Sequence, residues 1–215
     1  MKNTIITITL TMACAVNAFP QSFMTNTVAE CSVEGSLFNN IRMTMNFISR
    51  VYDVRICTEA PRNYTTPTWP QSSVVFTNAT FGQVFETIME NTTNLTWRYE
   101  NSTDSIYVYP LTNAITLMRV GPIALTNEPV WKVFYEDDMV TRKIEGLVLS
   151  GREGDYWNDN VSLEIEEAYL WEVLDEIVAQ ISEGISWDLQ VTPPRNGIRY
   201  WLRYFTTHHD RFKNY

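Results

Sequence analysis

Few side chains in this 215-residue chain are of types that do chemistry unaided. Its two histidines, His208 and His209, sit side by side before Asp210 near the C-terminus. Metal ligands must converge on one ion and be held by partners of their own, which sequence neighbours rarely manage. A solvated tail is the stronger reading. Asp137-Asp138 and Glu166-Glu167 are paired carboxylates of the kind used in acid–base catalysis. Such a pair works only where burial or a nearby charge separates its two pKa values. These pairs fall at an expected helix end and strand end, which predicts solvation. The chain has no Gly-rich phosphate loop and no Gly-x-Ser-x-Gly elbow. The expectation is therefore no catalytic residues, no metal and no cofactor.

Cysteine use points to an exported chain. Met1–Ala18 reads as a cleaved secretory signal: Lys2 gives the positive start, Ile5 to Val16 the apolar stretch, and Val16-Asn17-Ala18 the small-residue cleavage pattern. The apolar run is short and Thr-rich for a membrane anchor. Cys14 leaves lipidation open as an alternative. With the leader gone, Cys31 and Cys57 remain, an even pair in an oxidising compartment. A disulfide between them would contribute about 3 kcal/mol by the chain-entropy argument; two separate buried thiols are the alternative. Asn-x-Ser/Thr triplets begin at Asn63, Asn78, Asn91, Asn94, Asn101 and Asn160. They are glycan acceptors only in a eukaryotic secreted chain.

Hydrophobic content of 45% and aromatic content of 13% predict packed cores. The net charge is -9, and losing Lys2 with the leader makes it more negative. Nucleic acid and anionic membrane surfaces are disfavoured partners, because both need clustered Lys and Arg. No later run reaches membrane-spanning length.

The elements that would position any site are legible in the pattern. Ser36 is placed to cap a helix in which Leu37, Ile41, Thr44 or Met45, Ile48 and Tyr52 recur at helical spacing. Asp53 interrupts it, and Val54–Cys57 reads as a strand. Thr27–Val33 is a candidate first strand. Val74 and Phe76 alternate with polar neighbours. Thr80 and Gln83 have capping-box spacing before the stripe Phe81, Val84, Phe85, Ile88 and Met89. Asn91–Asn94 ends that helix, and Leu95–Tyr109 reads as a hairpin turning at Asn101–Asp104. Ile115–Val120 is a candidate strand, and Pro129 opens a short helix bearing Val130, Val133 and Phe134. Lys143–Ser150 and Val161–Glu167 read as strands, Tyr169–Ser182 as a helix, and Ile185–Val191 with Ile198–Phe205 as a last hairpin.

The chain also repeats itself. Val74, Phe76, Ala79, Phe81, Val84, Phe85, Ile88 and Met89 align without a gap on Leu163, Ile165, Ala168, Leu170, Val173, Leu174, Ile177 and Val178. One residue of slippage then puts Trp97 on Trp187. Matched apolar positions on this scale indicate duplication.

The order helix, strand, strand, helix, hairpin resembles the short N-terminal domain of secretins and TonB-dependent transducers. Thr93-Asn94-Leu95-Thr96-Trp97 and Ser105-Ile106-Tyr107-Val108-Tyr109-Pro110 stand where that family carries its two late motifs. Asn94 replaces the family's usual Gly, a tolerable change because both residues enter the left-handed region. The resemblance covers 36–110 well and 160–205 less well.

It implies an α+β fold of two tandem STN-like units, each a small sheet packed on two helices. The divisions are a signal at 1–18, an arm at 19–35, units at 36–110 and 128–207, a connecting segment at 111–127 and a tail at 208–215. It further implies a non-enzymatic, periplasmic or secreted module that binds an envelope protein or peptide and lacks the membrane-embedded barrel of those families. The aromatic strands offer a receiving edge or face at Ile106, Tyr107, Val108, Tyr109, Tyr200 and Trp201; core packing is the plainer account of them. Two alternatives remain open. One is a glycan- or small-ligand-binding protein with the aromatic strands and Trp157 as its wall. The other is a hydrolase, which would need a buried, shifted carboxylate cluster in a cleft.

Overall fold

A computed structural model describes residues 24–33, 41–61, 74–135, 147–149, 156, 158–181, 185–192 and 199–206. The first half runs β1 (Thr27–Val33), α1 (Ile41–Tyr52), β2 (Arg55–Pro61), β3 (Val74–Thr80), α2 (Phe81–Glu90), β4 (Leu95–Glu100) and β5 (Ser105–Pro110). A short 3-10 turn (Ile115–Leu117) and β6 (Arg119–Val120) follow. The second half runs β7 (Ile123–Pro129), α3 (Val130–Tyr135), β8 (Leu147–Leu149), β9 (Asn160–Ile165), β10 (Ala168–Tyr169), α4 (Leu170–Ile181), β11 (Ile185–Thr192) and β12 (Arg199–Thr206). The fold is α+β, as the pattern predicts. The candidate strand at Ile115–Val120 is instead the 3-10 turn and the two-residue β6, and β7 takes the place of a first strand.

Local chemistry explains the element ends. Thr80 accepts from the Gln83 N–H and Gln83 returns a bond to the Thr80 N–H, a complete capping box on α2. Residue for residue in the aligned repeat, the Tyr169 N–H donates to the Glu172 carboxylate at 2.6 Å and opens α4. Asp53 and Asn94 hold left-handed φ values of 53° and 64°, so Asn94 does adopt the conformation for which Gly is the usual choice. Asn91 caps α2 without entering that region, its φ being -90°.

Strand pairing repeats between the halves. In the first, β1 pairs antiparallel with β3, β4 antiparallel with β5, and β2 parallel with β5. In the second, β7 pairs antiparallel with β9, β11 antiparallel with β12, and β8 parallel with β12. The main strands do not close into a sheet per half. They form one six-stranded sheet, β4-β5-β2-β11-β12-β8, joined where β2 runs parallel to β11. The strand roles keep the same left-to-right order in both trios, while β11, β12 and β8 run opposite to β4, β5 and β2. Superposing one trio on the other therefore takes a half-turn about an axis lying in the sheet across the strands, which exchanges its faces.

The cores show the exchange. On one face Ile56, Ala60, Ile106 and Val108 pack under α1 and α2 with Met45, Ile48, Phe81, Phe85 and Ile88. On the other, Cys57, Tyr107, Trp187 and Leu189 pack under α4 with Val173, Leu174, Ile177 and Val178. Trp97 meets Phe85 edge-on at 5.1 Å beneath α2, whereas its repeat equivalent Trp187 faces α4.

The same alternation corrects the disulfide. Cys31 and Cys57 are both free thiols, and each is buried in a different core. Cys57 points through β2 to the face opposite Ile56, because successive strand residues point to opposite faces. Burial pushes its thiol up to about 12, so it stays protonated and unreactive.

Gly121 sits in the left-handed half of backbone space at φ 126°, beside the connection to β7. A Cβ there would stand 2.5 Å from the Glu166 carbonyl oxygen, and its three nearest neighbours would all be backbone atoms. Gly121→Ala should therefore lower stability by about 2 kcal/mol or more, read as a drop in denaturation midpoint at unchanged slope. Thiol titration of unreduced protein should find both Cys31 and Cys57 free once denatured, and neither reactive while folded.

Candidate functional site

Among the described residues three carboxylates are buried, two where the halves meet and one beneath the segment that connects them. Glu59 is on β2, Asp175 on α4 and Asp188 on β11, exposed by 0%, 4% and 1%. Alternation along β2 sends Arg55, Cys57 and Glu59 to the α4 face and Thr58 to the α1 face. Each carboxylate meets donors from the facing segment.

Asp175 accepts from Arg55 at 3.0 Å, from the Trp187 indole N–H at 2.8 Å, and from the Tyr107 hydroxyl. Arg55 and Tyr107 belong to the first half and Asp175 to the second. Asp188 accepts from the Thr58 hydroxyl at 2.6 Å and Arg42 at 3.0 Å, again across the halves. Glu59 accepts from the backbone N–H groups of Ile115 and Thr116 at 2.8 and 3.0 Å, and from the Thr116 hydroxyl at 2.6 Å. It thereby fastens the connecting segment to β2. Burial raises the pKa of Asp175 and Asp188, opposed by Arg55 and Arg42 respectively. Burial raises that of Glu59 as well, opposed only by hydrogen bonds.

A rim of arginine and aromatic rings surrounds Asp175. The Arg98 guanidinium lies 4.1 Å from the Trp171 ring centroid and 5.2 Å from that of Tyr107. Tyr107 packs against Trp171 and Trp187 at 5.2 and 5.7 Å.

This chemistry is tethering. Every oxygen of the three carboxylates already accepts a hydrogen bond, and Asp175 and Asp188 lie on opposite sheet faces, so those two do not form an acid–base pair. Among the described residues no three His, Cys, Asp or Glu side chains converge as a metal would require. Glu166 and Glu167 are exposed, and Glu167 pairs with Arg119 at 3.1 Å on the surface. Asp137-Asp138, Trp157 and His208-His209-Asp210 fall outside the described residues.

The residues expected to receive a partner are placed otherwise. Ile106, Tyr107 and Val108 are buried, and β5 is flanked by β4 and β2, so they offer neither edge nor face. Tyr109 is half-buried against the second core. Tyr200 and Trp201 lie on β12, whose two edges are taken by β11 and β8; their side chains are outside the described residues.

Sequence reasoning missed Arg42, Arg55, Glu59, Arg98, Asp175 and Asp188. One signal was available: Trp171, Leu174, Asp175 and Val178 share the apolar stripe of α4, so Asp175 is an acid among core positions. Its repeat equivalent on α2, Glu86, is exposed.

No known family, curated protein or solved structure matches the chain.

Removing one member of a buried ion pair leaves the other uncompensated, so Asp188→Ala should cost about 3 to 5 kcal/mol in denaturant melts. Glu59 supplies a pH test. Its folded pKa is raised above the ordinary 4.5, so folding takes up a proton there. That stabilisation is complete below the ordinary value and is lost as pH rises through the raised one. The melting temperature of the wild type should rise relative to Glu59→Gln as pH falls from neutrality towards 4.5; parallel pH profiles would refute the assignment.

Proposed function

We propose that the chain is an exported, non-enzymatic protein-interaction module of the bacterial cell envelope, resembling the periplasmic domains of secretins and TonB-dependent transducers. The observation that carries this reading is the repeated pairing: strand, helix, strand, strand, helix, hairpin occurs twice with the same partners. Tandem STN-like units account for it together with the sequence repeat and the matched helix starts at Phe81 and Leu170. The buried carboxylates support a scaffold, since Asp175 and Asp188 are occupied in holding the halves together and Glu59 in fastening the segment between them. The decisive test is a partner.

With β5 interior, the partner surface moves to the connecting segment. Leu111, Leu117 and Met118 are large apolar residues exposed by 62%, 40% and 39%. Apolar side chains gathered on one exposed segment mark an interaction site better than scattered ones do. The occupant is an envelope protein or peptide, met in the periplasm or outside the cell.

Photo-crosslinkers placed at Leu117 and, as control, at exposed Asn101 in the β4–β5 turn should separate the readings in living cells. One envelope protein crosslinked reproducibly from Leu117 and not from Asn101 is the expected result. Crosslinking from neither position, with the chain monomeric, would overturn the proposal.

A further inference from the structure

Among the described residues Arg98 has no carboxylate of its own. It lies half-buried on β4, and among the described residues it forms no ion pair. Asp175, the nearby acid, is already occupied by Arg55, Trp187 and Tyr107. Arg55 and Arg98 against Asp175 leave one uncompensated positive charge, in a protein whose net charge is -9. The donors here are also left over. Arg98 Nε and Trp171 Nε1 are buried without a hydrogen-bond partner, although Trp171 is only 9% exposed. A buried donor without an acceptor is costly. Here both belong to one contacting pair, with the guanidinium carbon 4.1 Å from the centroid of the indole ring whose N–H is left over.

We infer that Arg98 and Trp171 form a receptor for a carboxylate carried by a partner polypeptide. The guanidinium fork matches a carboxylate in two parallel bonds, and aromatic walls strengthen such bonds by excluding water. A single negative charge cancels the local excess. A doubly charged phosphate would overshoot it beside Asp175. The site also borders the exposed apolar segment: the Leu170 N–H at the start of α4 donates to the Met118 carbonyl at 2.9 Å, one residue from Trp171. The matching ligand is an acidic side chain or chain terminus flanked by apolar residues. That the carboxylate comes from a polypeptide rests on the interaction-module reading; the anion site itself does not.

The test uses the mature full-length protein, calorimetry and the indole N–H resonance of Trp171. The probes are sodium acetate, inorganic phosphate, a blocked Leu-Glu-Leu peptide and the same peptide with Gln for Glu. The expected result is saturable binding of the Glu peptide with a shift of the Trp171 resonance, and at least about tenfold weaker binding of the Gln peptide. Arg98→Gln should abolish the shift, and Arg98→Lys, which keeps the charge without the fork, should bind more weakly than wild type. Trp171→Phe keeps a ring and removes the N–H, so it supplies a second variant if Arg98→Gln does not fold; weaker binding is expected. Acetate binding without peptide binding would overturn the polypeptide source and leave the anion site standing. Equal binding by Arg98→Gln and wild type would overturn the site, as would silence from every probe. Phosphate bound more tightly than the Glu peptide would overturn the carboxylate assignment.

Discussion

The seam between β2 and β11 is the constraint on which the rest depends. Four residue pairs, from Asp188–Thr58 to Val191–Pro61, join two three-stranded groups into a single sheet. A strand edge left open would expose a row of unpaired backbone groups. The seam removes one such edge from each half. It also brings Asp188 to Thr58 and Arg42, and lays α4 over Arg55 and Tyr107. A charge at such a junction is tolerable only when fully bonded, and Asp175 and Asp188 meet that condition only with the halves together.

The half-turn between the halves follows from the same join. Because β11 is the counterpart of β4 and lies parallel to β2, the second group must be inverted to continue the sheet. Each half then covers its own face with its own helices, and the second core is finished with residues borrowed from the first half. Cys57 and Tyr107 come from first-half strands yet belong to the second core. Lone exposure of the first half would uncover Cys57 and Tyr107 on the face its own helices leave bare.

Much of this was legible in the chain. The stripes of α2 and α4, the capping pair at Thr80 and Gln83, and the start of β1 at Thr27 all stand where period and turn chemistry place them. Local rules suffice there because the information is local. The seam was not legible, since parallel pairing between distant strands has no turn to announce it. Strands buried on both faces also lose the alternation that would say which face is which. Ile106-Tyr107-Val108 reads as a continuous apolar run, and only the fold shows that Tyr107 serves a different core from its neighbours. That loss misdirected both the disulfide and the partner surface. The arginines escaped notice because a charge on a strand is ordinarily solvated, and nothing local marks Arg55 or Arg98 as lying beneath a helix.

The seam also sets how the chain must fold. Thr58 and Asp188 are 130 residues apart, whereas the hairpins and the strand–helix pairs of each half are nearly local. Contacts of such high contact order come at the cost of closing a very large loop, and they form slowly. The local parts can assemble early, but the edges of β2 and β11 stay open until they meet. For that interval the chain carries two unpaired strand edges of the kind that recruit other chains, so the step that completes the sheet is also the step most exposed to misassembly.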